Sequence, residues 1–528
     1  MKLGVAYYPE HHAADTWAED YRLLREAGIR SIRIAEFAWS SIEPSEGEYC
    51  WEWLDQSIAL AGEYGIQVVM CTPTACPPIW LVERYPEILP VGRNGKTVGF
   101  GARQHRSYHS PKYIEYSKKI VRLMAERYGD HPNVIAWQLD NEFGGETKYD
   151  FGECSKRAFQ HYLAEKYGSI EALNRRWGTA FWSQHYHRFD QIPLPAPIDS
   201  DVMMWPHPSL ELEFARFSSE GITRFASMQA EILRAYVGDR PITTNAFMFR
   251  WGDNIDWSEL FKDLDVVGMD IYSNSPHEIA FYGDACRGVL SKPFWMMEYG
   301  SGAAELERDM EAISKRGCER FYLFKMKPFP WGQEQGGGHP ELLDLMGEPS
   351  ANYYAVQRYA ERYEKQQTDA IAGAAEEAIS DSPVAAGSRK PLKVGLYYHF
   401  ASSWSYRVAV SDRLAYPDYI VDTVYKALYE LDQPVDVLYR PEQVGEQDVL
   451  IVPLHIIHDA ELEERLTAFI EAGGQLIVTD DLFRKNEDNV FLTARPAMLS
   501  SGLSWTTVAR GADLDEWREV LRGGILQA

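Results

Sequence analysis

At 528 residues the chain has room for two or three domains, one of which can be a large barrel. Its 78 acidic against 53 basic residues leave a net charge of -25, which argues against holding nucleic acid or anionic lipid through phosphate contacts. Apolar residues at 45% can build sizeable cores, yet no apolar run approaches the ~18 residues of a membrane helix, so no membrane partner is expected.

The chain opens without an apolar stretch of signal-peptide length. The first 360 or so residues then alternate short apolar runs with helical patterns, as βα units do. Strands are predicted at 2–8, 31–37, 67–73, 134–140, 241–247, 265–272, 293–299 and 320–326. Between the first two, a helix is predicted from Asp15 as N-cap to Gly28, with Trp17, Tyr21, Leu24 and Ala27 on one face. Ser110 and Pro111 open another, with Ile114, Val121, Met124 and Tyr128 as its stripe and Gly129 as its stop. Eight such strands with intervening helices predict an α/β fold, a (β/α)8 TIM barrel over residues 1–363. A Trp- and His-rich insertion after the fourth strand, 175–190, is expected to build part of a pocket wall. Residues 364–391 are poor in aromatics and read as a helix end and linker. A second alternating unit over 392–504, with strands at 393–399, 434–439, 448–454 and 475–481 and a helix over 461–474, predicts a smaller doubly wound α/β domain. Residues 505–528 read as a stub.

Barrel chemistry sits at the C-terminal ends of the strands. Polar groups cluster there: Arg33 and Glu36, Asn141 and Glu142, Asp270 and Tyr272, and Glu298. Glu142 ends the fourth predicted strand and Glu298 the seventh, so a closed barrel turns them toward each other across its mouth. Two such carboxyls can flank a glycosidic bond, about 5–5.5 Å apart for retention and roughly 6.5–9.5 Å for inversion. The acid must hold its proton through burial or a neighbouring carboxylate, and the nucleophile must stay ionised, which Arg33 favours if near. A salt bridge within the barrel accounts for Arg33 and Glu36 equally well. No HExxH, P-loop or GxSxG pattern competes, and His105, His109, His185 and His187 show no metal-ligand spacing. The six cysteines, Cys50, Cys71, Cys76, Cys154, Cys286 and Cys318, form neither a CxxC pair nor a disulfide framework, so a cytoplasmic protein with reduced thiols is expected.

The stretches YYPE (7–10), RIAEFAWSSIEPSEG (33–47), TPTACPPIWLVERYPEILPV (72–91), WQLDNEFG (137–144) and WGTAFWSQ (177–184) resemble glycoside hydrolase family 42, the β-galactosidases. The likeness covers the barrel through about residue 347, and the second domain resembles that family's amidotransferase-like domain, which serves trimer formation. The resemblance implies Glu142 as acid/base and Glu298 as nucleophile, with retention of configuration. It implies sugar contacts from Arg33, Glu36, Asn141 and Tyr272, a pocket wall from Trp182, an oligosaccharide substrate, a homotrimer and no cofactor. The departures fall in two places. Of the family's zinc-binding cysteine cluster only Cys154 is present, so no metal is expected. After the eighth strand His339 fits the family's His, but Gly336 stands where a Glu belongs, leaving Glu334 to replace it across a local gap; Met326 falls at the family's Trp, with Trp331 a substitute. The family's C-terminal β-domain is absent or reduced to the stub.

An α-L-arabinopyranoside shares galactose's ring hydroxyls without its C6 group and is the alternative substrate, beside another β-linked sugar or an inactive carbohydrate-binding role. A glutamine-hydrolysing second domain is disfavoured, because that chemistry needs a thiolate and no cysteine follows Cys318.

Overall fold

A computed structural model describes residues 1–195, 207–247, 249–273, 275–336, 340–377, 392–408 and 414–527. The barrel sheet comprises β1 (Lys2–Ala6), β2 (Ser31–Ile34), β3 (Gln67–Cys71), β4 (Val134–Gln138), β5 (Ile242–Thr243), β6 (Asn245–Phe247), β7 (Gly268–Ile271), β8 (Phe294–Tyr299) and β9 (Cys318–Leu323). The order is β5-β4-β3-β2-β1-β9-β8-β7-β6. Eight strands were expected and nine are found because the fifth is cut at Thr244. Its first piece pairs in parallel with β4 and its second with β7, so the barrel closes through one residue. Closure also needs a glycine opposite: a Cβ on Gly268 would stand 2.2 Å from the Thr244 carbonyl oxygen.

Strands buried on both faces read as continuous apolar runs, which is why the sequence shows them so plainly. Val69, Ala136, Trp295, Met297 and Tyr322, from strands on opposite sides, meet in the lumen and form a core of their own. The outward-facing residues pack under the surrounding helices. The helix Trp17–Glu26 buries Trp17, Tyr21 and Leu24 as its periodicity requires. Asp15 does not cap it: it lies in a 3-10 turn, Ala14–Thr16, and the helix starts two residues later without a side-chain cap. Ser110 does cap the helix Pro111–Tyr128, accepting a hydrogen bond from the Tyr113 N–H at 3.4 Å.

The second domain is a parallel sheet of β10 (Val394–Tyr397), β11 (Val435–Leu438), β12 (Val449–Val452), β13 (Gln475–Thr479) and β14 (Thr506–Val508), ordered β11-β10-β12-β13-β14. Residues 505–528 are therefore no stub. They supply β14, which pairs with β13, and the helix Leu514–Gln527, which buries Trp517 and Leu521 in the core. A three-residue strand with two exposed positions carries too little apolar pattern to be read in advance. The helix Ala351–Glu377 runs into the expected linker, whose remainder, 378–391, lies outside the described residues.

The two domains share a packed interface. Phe249 from the barrel stacks on Phe400 and Tyr439 of the second domain, and Ser403 donates to Asp253 at 2.8 Å. Gly288, on the helix Pro276–Leu290, lets the Val437 carbonyl approach to where a side chain would be.

Candidate active site

After β4 the chain leaves the sheet through two left-handed residues, Asp140 (φ 51°) and Glu142 (φ 44°). Side chains other than glycine enter that region only when their surroundings hold them there. Asp140 is the holder: buried, it accepts from Arg106 at 2.7 Å, from Thr74 at 2.6 Å and from the Asn141 N–H at 2.9 Å. The Glu142 N–H donates to Asn245 Oδ1 at 3.0 Å. Asp140 thus shapes the turn, while Asn141 and Glu142 are presented at the barrel mouth.

Glu298, near the end of β8, faces them. Tyr272 donates to one of its oxygens at 2.5 Å and Arg33 to the other. Arg33 is fully buried; it also donates to Glu36 at 2.6 Å and to the Met297 carbonyl at 3.0 Å. One guanidinium therefore joins Glu36 to Glu298, which is the salt bridge expected within the barrel, extended to a second carboxylate at its mouth. A bulge between Met269 and Asp270 sets Asp270 opposite Glu298, bringing a third carboxyl into the centre. One oxygen each of Glu142, Asp270 and Glu298 lie within 4.8 Å of one another. Among the described residues no other such group of acids, histidines and cysteines could chelate a cation. Arg33 already supplies positive charge here, and Asn245 donates to Asp270 at 2.7 Å and to Asn141 at 2.9 Å.

Burial, reinforced by the Glu298 charge, pushes the Glu142 carboxyl up to about 8, against the pull of Arg103. Asp270 is pushed well above the usual carboxylate range by burial, then by Glu298 and Glu142, with Arg33 opposing. Glu142 therefore keeps its proton at neutral pH, beside a Glu298 that is held by a cation and a phenol.

A cavity of about 560 Å³ is walled by Phe37, Phe100, Arg103, Phe324, Phe329 and Trp331, and none of Glu142, Asp270 and Glu298 lines it. Arg103 connects the cavity to the acids, facing Glu142 at 3.4 Å. Glu334 lies on the cavity wall, 3.9 Å from both Arg103 and the buried ammonium of Lys325. Trp331 lies there as expected, whereas Met326 is buried in the core; Phe324 is the residue of the β9 end that faces the cavity. Alternation along a strand places residues two apart on the same face, so the period-two pattern does not distinguish Phe324 from Met326 in sequence. Trp182 is 60% exposed, beside Phe181, and does not line the cavity. Of the insertion, Trp177 instead packs with Phe159 and Leu163 of the helix Glu153–Tyr167 against the start of the helix Pro208–Arg234. His339 lies outside the described residues. Sequence reasoning gave no role to Arg103, Asn245, Lys325 or Phe324, and it noted Asp270 only as a polar strand end.

Comparison with known proteins agrees with this geometry. Residues 6–334 match the family model of glycoside hydrolase family 42, described as beta-galactosidase, and residues 392–503 match the beta-galactosidase trimerisation domain. A beta-galactosidase of Thermus thermophilus is 36% identical over 510 residues, spanning 90% of this chain and 74% of its own. One from Halorubrum lacusprofundi is 32% identical over 516 residues, spanning 90% and 69%. The crystal structure of the beta-galactosidase from the psychrophilic Marinomonas ef1 superposes with a TM-score of 0.85 at 32% identity, covering 95% of this chain and 79% of that one. The chain is therefore a glycoside hydrolase, a member of family 42, the β-galactosidases.

Proposed function

We propose that the chain removes terminal β-D-galactosyl residues from oligosaccharides with retention of configuration. The observation that carries this reading is the separation of Glu142 and Glu298, whose oxygens approach within 4.8 Å. That fits direct attack by one carboxylate on the anomeric carbon and leaves no room for the water an inverting enzyme places there. Glu142, protonated up to about pH 8, donates its proton to the glycosidic oxygen as the bond to the leaving group breaks. Glu298, held by Arg33 and Tyr272, attacks and forms a glycosyl ester. Glu142, now ionised, takes a proton from water as that water displaces Glu298. Galactose as the sugar rests on the names of the relatives. The stretch carrying Met326, Glu334 and Gly336 departs from the family pattern, so α-L-arabinopyranosides are retained as a second substrate class.

The trimerisation-domain match supports a homotrimer, and the six free cysteines support a reducing, cytoplasmic setting. No described helix is long and apolar enough to cross a membrane.

A panel of nitrophenyl β-galactoside, α-L-arabinopyranoside, β-fucoside and β-glucoside tests the sugar, the galactoside being expected to turn over fastest. Inactivation by a 2-deoxy-2-fluoro-galactosyl donor followed by peptide mass mapping tests the nucleophile. The label is expected on Glu298, and a label on any other residue would reject the assignment.

A further inference from the structure

The third acid of the centre, Asp270, has no part in the two-carboxyl scheme. It is fully buried on β7, where its Oδ2 accepts from Asn245. Its Oδ1 is also buried and has no hydrogen-bond partner, although it lies among polar groups. Glu298 faces it from β8, Glu142 and Asn141 from the end of β4, and Arg33 from β2. Tyr272 follows it just past the end of its strand, and the Cys286 thiol faces it from the helix Pro276–Leu290. The one cation in this list is already divided between Glu36 and Glu298. An oxygen of Asp270 lies within 4.8 Å of an oxygen of Glu142. Two carboxyls can bond only through a proton, because an ionised carboxylate offers acceptors alone.

We propose that Asp270 is a neutral positioning residue, which keeps its own proton throughout the reaction and donates it as a hydrogen bond from Oδ1 to the Glu142 carboxyl. The inference rests on the reading of Glu142 as acid/base. Before proton transfer, this bond ties up one Glu142 oxygen and leaves the other, which carries the proton, to face the glycosidic oxygen. After transfer, it steadies the ionised Glu142 that must accept a proton from water. It also offsets Glu298, whose negative charge works in the other direction on Glu142. A carboxylic acid kept neutral by its site so that it can donate is a known device for stabilising a neighbouring charge.

The neutral isostere separates a proton-bearing Asp270 from a charged one. Asp270→Asn keeps a donor and the same shape, so the high-pH limb of kcat/KM should stay within about half a pH unit of the unaltered protein, whatever happens to the rate. Asp270→Ala removes the donor: the limb should rise by about one pH unit, and turnover of a dinitrophenyl galactoside, limited by deglycosylation, should fall about tenfold and return with azide, which needs no base. A limb that falls by about one unit in Asp270→Asn would show that the native residue is a charge, and would overturn the proposal; so would an Asp270→Ala variant indistinguishable from the unaltered protein. If either variant fails to fold, infrared spectra of the unaltered protein decide. A protonated carboxyl band should persist at pH 9, after Glu142 and Glu10 have ionised; loss of every such band at pH 9 counts against the proposal. Azide rescue of Glu142→Ala is an independent control: its absence would reject the acid/base reading itself and leave the protonation of Asp270 a separate result.

Discussion

At the scale of single residues, catalysis depends on unequal treatment of chemically similar acids. Glu298→Ala should lose nearly all turnover on every substrate, because no ester can form; near-normal rates would reject its role. Glu142→Ala should keep substantial activity toward dinitrophenyl leaving groups while losing about 10²–10⁴-fold on unactivated galactosides. Equal losses on both would count against it as the acid. Because its proton is held to about 8, kcat/KM should decline above that pH, and a limb near the ordinary carboxylate value would contradict the burial argument. Glu10 offers a separate test of buried charge. Both its oxygens are buried without a partner, and burial pushes its carboxyl up to about 8. The folded value lies above the unfolded one, so the native state holds the extra proton between about pH 4.3 and 8, and stability is lost as pH rises through that window. Glu10→Gln should match the unaltered protein near pH 5 and exceed it in urea midpoint by pH 8; a constant difference would show that Glu10 is not protonated. Glu142 and Glu298 were legible from sequence because each follows a long apolar run. Asp270 was visible but unranked, and Asn245 and Lys325 were not singled out, because their roles depend on neighbours tens to hundreds of residues away.

At the scale of elements, the strands were legible and their interruptions were not. The cut at Thr244 falls inside the apolar run 241–247, and nothing local marks it; what requires it is the close approach of Gly268. The last helix shows the opposite error. Its amphipathic pattern was present, but the three-residue strand before it was too short to announce a sheet edge. Trp517→Ala should therefore destabilise the protein by about 3–5 kcal/mol, as loss of a fully buried Trp does, and a midpoint change near zero would mean the segment is dispensable. Gly288→Ala tests the seam between domains. Its Cβ would stand 1.9 Å from the Val437 carbonyl oxygen, so a loss of about 1–3 kcal/mol is expected in equilibrium unfolding, with the site's pH profile unchanged.

At the scale of the whole molecule, a barrel presents the acids and a second parallel sheet is packed against its flank. That sheet has no cysteine to act as a nucleophile, and it matches the beta-galactosidase trimerisation domain, which supports the proposed role in assembly. Mass measurement in solution should return three times the 60.4 kDa chain, and a stable monomer would remove that role. The strongly negative surface charge fits a neutral sugar as ligand and places no demand on ionic strength, because the groups that act are buried. The measurement that bears most directly on the central claim is the proton NMR spectrum of the first sugar released from a nitrophenyl β-galactoside, recorded before the anomers equilibrate. Two carboxyls that meet across one small gap should release the β-anomer first. The α-anomer appearing first would mean that water, and not Glu298, attacks the sugar, and the arrangement described here would be wrong.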